Sequence, residues 1–274
     1  MCEVPAVDYD MSEATVRPAA LPWPAPEIVS APSGAPSSFA MARVEVPPQL
    51  DADTGSWLPA LVADARLHPE EAALVAEMPA VRRATFVAGR LALRAAMRIA
   101  VAERGPGESA APILRTARGA PVLPSTVAGS VSHKHDAALA LMAPRRAAVA
   151  GGSMHVGVDL EHRPTERDVT RPSIARRILT AGELDALSAL DADPLAQRER
   201  VILSFAIKEA VYKAIDPTVQ RYVRFTEVAL QFGDNGLVSV SLLLPELTTG
   251  QITVRAQYSL DDRWIVATAV ATTE

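Results

Sequence analysis

The stretch Val156-Gly157-Val158-Asp159-Leu160-Glu161 decides how the rest of this 274-residue chain is read. Its composition predicts a buried strand. Successive side chains point to opposite faces of a strand, so Val156, Val158 and Leu160 share one face and Gly157, Asp159 and Glu161 the other. Two carboxylates that close on one face raise each other's pKa unless a cation lies between them. Hard divalent cations favour oxygen ligands, and Mg²⁺ in particular takes one or two carboxylates while leaving room for phosphates and water. Taken alone, an Asp-x-Glu describes an edge strand with a solvated acidic face. What reverses that reading lies on a helix downstream.

The segment Phe205-Ala206-Ile207-Lys208-Glu209-Ala210-Val211-Tyr212-Lys213 belongs to a long helix expected to start at Asp193-Pro194, an N-cap followed by a first-turn proline, and to end at Asp216-Pro217. Ile202, Ala206, Glu209 and Lys213 fall at i, i+4, i+7 and i+11, one face of that helix. A Glu209–Lys213 pair at i, i+4 on a solvated face would contribute a few tenths of a kcal/mol. Glu209 instead lies along the apolar stripe, where an unpartnered carboxylate is costly. With Asp159 and Glu161 it makes a third inward carboxylate. Three such groups favour a magnesium site, with Lys213 one turn on to neutralise a bound phosphate.

Working outward, the same order of elements runs twice. In the first half, a strand over Phe39–Val46 precedes a short helix at Pro69 with Glu70 and Glu71 in its first turn. A longer helix then opens at Pro79 and stops near Gly105. Strands are expected at Pro121–Leu123, over Gly129–Met142, and at Asp159. In the second half, Thr180-Ala181-Gly182-Glu183 has capping-box spacing and launches a short helix. The long helix follows, then strands over Arg224–Phe232, Leu237–Leu244, Gln251–Leu260 and Arg263–Thr272, with a hairpin turn at Asn235-Gly236. The expectation is α+β: two similar subdomains related by a pseudo-twofold axis, residues 39–154 and 155–274, with the site at their junction. Residues 1–38, rich in Pro and Ser, read as a flexible lead-in with Trp23 docking on the folded body.

A net charge of −5 argues against a general nucleic-acid binder. Cys2 is the only cysteine, which excludes a disulfide framework and a thiolate metal site. No apolar run approaches membrane-spanning length, so a soluble, cytoplasmic protein is expected. There is no Gly-x-Ser-x-Gly elbow, no phosphate-binding lysine loop and no dinucleotide fingerprint. His133 and His135 alternate on one strand face without a third soft ligand, which is weak evidence for zinc.

Gly157-Val158-Asp159-Leu160-Glu161 and Phe205 to Lys213, about fifty residues apart, resemble the two signature motifs of the 4′-phosphopantetheinyl transferase superfamily. Within it the chain is similar to the longer, pseudo-dimeric branch serving secondary-metabolite and siderophore carrier proteins. The arginine-rich run Arg82 to Arg94 resembles the family's early helix. Gly119-Ala120-Pro121, followed by Gly129-Ser130-Val131-Ser132-His133, resembles its Gly-x-Pro and Ser-His elements. Two positions depart from the pattern: Phe205 replaces a common Trp, and Ala120 stands where some members have Lys. Arg118 or Lys134 would supply the missing charge.

The resemblance implies transfer of the 4′-phosphopantetheine arm of coenzyme A to a serine hydroxyl of an apo acyl or peptidyl carrier protein. Adenosine 3′,5′-bisphosphate would be released, the activity of a holo-[acyl-carrier-protein] synthase. It implies Mg²⁺ held by Asp159, Glu161 and Glu209, with Glu209 as general base and Lys213 on the phosphates. It places Lys208 with Lys213 and Asp159 among the groups facing coenzyme A, Arg90 on the nucleotide phosphates, and Ser132 and His133 near the 3′-phosphate. Arg83, Arg90, Arg94 and Arg98 share a helix face at spacings of seven, four and four, and guanidinium groups grip phosphate bidentately, so Arg83 joins the coenzyme A set. A chain carrying both halves is expected to form its cleft as a monomer. Two other readings of the same residues remain open: a Mg²⁺-dependent phosphohydrolase acting on coenzyme A-like nucleotides, and a non-catalytic coenzyme A-binding relative.

Overall fold

The opening hexapeptide lies inside strand β5, Met154–His162, which packs against the strands Val127–His133, Ala137–Pro144 and Trp264–Thr273 and the helix Pro194–Val219. The structure is a computed structural model that describes residues 23–31, 38–48, 50, 57–102, 111–145, 152–166, 168, 172–190, 193–245 and 251–273. Among the described residues there are two antiparallel sheets. The first runs in the order β1 (Glu27–Val29), β2 (Ala40–Glu45), β4 (Ala137–Pro144), β3 (Val127–His133). The second runs β5, β9 (Trp264–Thr273), β8 (Ile252–Leu260), β7 (Leu237–Leu242), β6 (Val228–Phe232). Helices α1 (Trp57–Ala63), α2 (Pro69–Ala76) and α3 (Ala80–Ala100) precede β3. Helices α4 (Pro172–Ile178), α5 (Ala181–Ala189) and α6 (Pro194–Val219) precede β6. The α+β class and the twice-repeated order of short helix, long helix and strands are both present.

Strand alternation builds the layers. On β4, Ala138, Ala140 and Met142 face α3, while Leu139 and Leu141 face the second sheet. There they meet Val156, Val158 and Leu160 of β5 with Trp264 and Val266 of β9. The opposite faces of β5 and β9 receive α6 through small residues: Ala206, Ala210 and Ala214 on the helix, Ala267, Ala269 and Ala271 on the strand. Gly157 belongs to this contact. A Cβ there would lie 1.8 Å from the Ala210 carbonyl oxygen, so only glycine admits the helix at this distance. The abundance of alanine is thus a packing device.

Several boundaries differ from expectation for identifiable reasons. The Gly129–Met142 strand is a hairpin of two, β3 and β4, turning at 134–136 with Lys134 N–H on the Ala137 carbonyl at 2.7 Å. Its Lys-His-Asp turn carries no glycine or proline to announce it. Pro121 forms only an isolated bridge to Arg115 beyond a turn at Gly119 (φ 87°). Helix α6 passes through Pro217 to Val219, since proline removes only its own N–H. The Gln220 amide still reaches the Asp216 carbonyl (2.9 Å), and Val219 packs on the core. Within the stretch read as a flexible lead-in, β1 pairs with β2, and Trp23 is buried with its ring 5.5 Å from Trp57. Gly105, expected to stop α3, lies outside the described residues, and α3 ends at Ala100. Among the described residues no helix is long and apolar enough to cross a membrane.

Candidate active site

A cleft of 520 Å³ opens where the loop at 116–125 and β3 of the first half face α6 of the second. Gly119, Ala120, Pro121 and Ser130 line one wall, and Glu209, Tyr212, Lys213 and Asp216 the other. Arg118 closes one side: its Nε donates to Asp216 at 3.0 Å and its Nη2 to the Tyr212 hydroxyl at 3.3 Å. The Asp216 hydrogen bond, set against the cost of desolvation, holds the Arg118 guanidinium firmly charged.

Asp159 is the buried anchor of the site, 4% exposed. Strand alternation turns it toward α6, where Lys213 donates to Oδ1 at 2.7 Å and to the Val158 carbonyl at 2.9 Å. The Ser132 hydroxyl donates to the same oxygen at 2.7 Å, and Ser130 accepts the Val158 N–H at 3.1 Å. Glu161 is paired with Lys134. Burial pushes the Glu161 carboxyl above its ordinary range against the Lys134 hydrogen bond, and the Asp159 charge adds to the rise. Burial likewise raises Glu209; Lys213 opposes the rise and Asp159 reinforces it. The Asp159 charge therefore acts on both glutamates, with the Lys134 and Lys213 ammonium groups among them.

Asp159 Oδ2 is buried and has no hydrogen-bond partner. That orphaned oxygen, in an all-carboxylate donor set, fits a hard divalent cation. Asp159, Glu161 and Glu209 are the residues that would hold one. As placed, they do not bring an oxygen each within 4.8 Å of one another, and Lys213 and Lys134 supply the balancing charge.

The nucleotide end needs correction. Arg90 is buried, stacks over the Phe86 ring at 4.0 Å and donates to the Leu114 carbonyl. Burial lowers its pKa to about 10, against the pull of Glu71. Its Nε has no partner, which leaves a cationic donor uncommitted. Arg83 instead donates to the Met78 and Ala76 carbonyls at 2.9 and 3.2 Å, closing the end of α2. Arg94 is bound to the fully buried Glu71 at 2.7 Å, and Glu71 also caps α2 and accepts the Ile113 amide. Shared helical spacing did not give these arginines a shared task, because orphan carbonyls and a buried acid claimed two of them. Ser132, expected near a phosphate, is committed to Asp159. His133 reaches solvent, yet the protein mass around it, then Lys213, Arg82 and Arg90, hold its imidazole below the usual range.

Lys208 is the clearest correction. Its ammonium is sealed in the second half, donating to Glu183 (2.6 Å) and to the Ile178 and Phe225 carbonyls. Desolvation lowers its pKa, with the Glu183 bond opposing. It faces α5 and the start of β6, away from Asp159. Sequence reasoning missed Asp216, read only as a helix end, and the Ser132–Asp159 bond, which no spacing announces.

Fold and site together define a two-sheet α+β protein with a carboxylate-and-lysine cleft suited to phosphate chemistry. The N-terminal domain model of the 4′-phosphopantetheinyl transferases matches residues 70–143, and the superfamily model itself matches residues 155–269. The 4′-phosphopantetheinyl transferase Npt of Nocardia iowensis is 30% identical over 215 residues, 74% of this chain and 86% of that protein. The 4′-phosphopantetheinyl transferase PptT of Mycobacterium tuberculosis is 32% identical over 224 residues, 74% of this chain and 84% of that one. Among solved structures, an ACPS–CoA complex from Chronobacterium ammoniagenes aligns at 22% identity with a TM-score of 0.36, covering 44% of this chain and 98% of that one. The chain belongs to the 4′-phosphopantetheinyl transferase superfamily, in its longer two-domain branch.

Proposed function

We propose that this chain, as a cytoplasmic monomer, transfers the 4′-phosphopantetheine arm of coenzyme A to a serine of an apo carrier protein. The serine oxygen forms a new bond to the arm's phosphorus, the pyrophosphate P–O bond breaks, and adenosine 3′,5′-bisphosphate leaves. Phosphoryl-type transfer asks a protein for positioning and charge neutralisation more than for covalent help. The observation that carries the reading is the orphaned Asp159 Oδ2, on a carboxylate whose other oxygen is held by Lys213, a residue of the cleft walled by both halves.

Mg²⁺ bound at Asp159, Glu161 and Glu209 would supply Lewis acidity and charge neutralisation toward a pyrophosphate. Ser132 and Lys213 orient the Asp159 carboxylate. Glu209 takes the serine proton, a role that rests on its placement beside Lys213 in the cleft wall. Arg90 and His133 meet the nucleotide phosphates. Incubation with coenzyme A, Mg²⁺ and apo carrier domains, followed by intact-mass analysis, tests this. One phosphopantetheine added to the carrier is the expected result. Breakdown of coenzyme A with an unmodified carrier would instead make the protein a phosphohydrolase, and no change in either would make it a binding relative.

A further inference from the structure

The turn between β3 and β4 carries His135 and Asp136, and β5 ends at His162. Neither the cleft nor the transfer reaction uses them. The sequence pairs His135 with His133 by alternation. The tertiary structure instead sets it with two partners from further along the chain. One ligand atom from each of His135, Asp136 and His162 lies within 4.8 Å of the other two. The Asp136 Oδ1 is 3.0 Å from His162 Nε2 and 3.7 Å from His135 Nδ1. Ligand atoms about 2 Å from a tetrahedral zinc ion stand roughly 3.3 Å from one another, so these spacings bracket the requirement.

The neighbours hold the groups in place. The His162 ring stacks on buried Trp264 at 4.2 Å. The other Asp136 oxygen is taken by Arg263, which also reaches Glu45 at 3.0 Å. The Asp136 carbonyl accepts the Val46 amide at 2.9 Å, pinning the turn to the end of β2. Carboxylates that ligate metals are themselves held by hydrogen bonds from neighbours, as Arg263 holds Asp136. Burial disfavours the charged Asp136 carboxyl, and the Arg263 and His162 hydrogen bonds outweigh it, keeping the group ionised.

We propose that His135, Asp136 and His162 bind a borderline divalent transition-metal ion, zinc being the test case, with water completing the tetrahedron. Two imidazoles and one carboxylate suit zinc rather than magnesium, which favours oxygen donors alone. The ion is distinct from one held by Asp159, Glu161 and Glu209, because His162 faces away from Glu161 along the strand. It ties the β3–β4 turn of the first sheet to the end of β5 in the second, across the junction that shapes the cleft.

The test is zinc binding by the full chain in a Cys2→Ser background, with millimolar Mg²⁺ present to occupy hard carboxylate sites. Calorimetry should show one zinc per chain. At free zinc about 100 times Kd, the melting temperature should rise by roughly 5–10 °C. His135 is 82% exposed, so His135→Gln keeps the fold, and it should weaken binding at least about tenfold. His162→Gln should do the same, while Asp159→Asn should bind zinc as tightly as the parent. No uptake by the parent at micromolar zinc, or unchanged binding in both histidine variants, overturns the proposal. So does loss of binding in Asp159→Asn, which would put the ion in the cleft.

Discussion

Replacing Gly157 with alanine tests how closely helix α6 must sit on strand β5 for the cleft to work. The added Cβ would stand 1.8 Å from the Ala210 carbonyl oxygen and 2.9 Å from the Ala214 nitrogen, both backbone atoms that no rotamer change moves. Ordinary contact begins at 3.4 Å, so the helix must retreat by about 1.6 Å. Lys213 is long enough to re-extend toward Asp159. Glu209 adjoins Ala210 and must move with the backbone. Overpacking of this kind costs about 1–3 kcal/mol, which for a domain of this size lowers the melting temperature by roughly 3–10 °C. A misplacement of about 1 Å in the reacting geometry lowers kcat about 100-fold. Scanning fluorimetry and the initial rate of carrier mass gain read the two effects. Gly182→Ala is the control, since nothing lies within 4 Å of its Cβ. It should be neutral or stabilising by about 0.4–1 kcal/mol. A Gly157→Ala protein with parental melting temperature and kcat would show that α6 does not press on β5 as described.

Asp159→Asn keeps the shape but removes the charge facing Lys213, and should lower transfer at least about 100-fold with an unchanged near-UV circular dichroism spectrum. Retained activity would remove Asp159 from the site. Lys208→Met leaves Glu183 buried without its cation, a loss of about 3–5 kcal/mol and a melting temperature lower by on the order of 10 °C. The KM for coenzyme A should stay put, and an increase would return Lys208 to the nucleotide. The His133 imidazole should titrate below the usual histidine range by NMR in the free protein and move upward when adenosine 3′,5′-bisphosphate binds. Because folding lowers its proton affinity, the stability contributed by neutral His133 is lost as pH falls through the folded value. His133→Gln should therefore lose less stability on acidification than the parent.

Much of this architecture was legible because local signals agreed. Thr180 and Glu183 form the capping box their spacing announced, Asp193 caps α6 through the Leu195 amide, and Asn235-Gly236 turns the β6–β7 hairpin with positive φ at both residues. The placement of Asp159 opposite the apolar face of β5 followed from alternation alone. The arginines of α3 were less legible. Periodicity puts Arg83, Arg90 and Arg94 on one side of a helix, but it does not say whether a carbonyl, an aromatic ring or a buried acid waits there. Lys208 was misjudged for the same reason, since its partner Glu183 lies on another helix 25 positions earlier.

The sequence by itself determined α2, α3, α5, α6, β2 and β5 to β9, the twice-run order and the identity of the acids and bases available for chemistry, because capping, alternation and helical period act over a few residues. The tertiary structure alone decided which charges meet. It gave Asp159 to Ser132 and Lys213, Glu161 to Lys134, Asp216 to Arg118 and Asp136 to Arg263. The physical reason is that electrostatic and hydrogen-bonding energies depend on distance through space and on burial. Both are set only when the two sheets and α6 have packed.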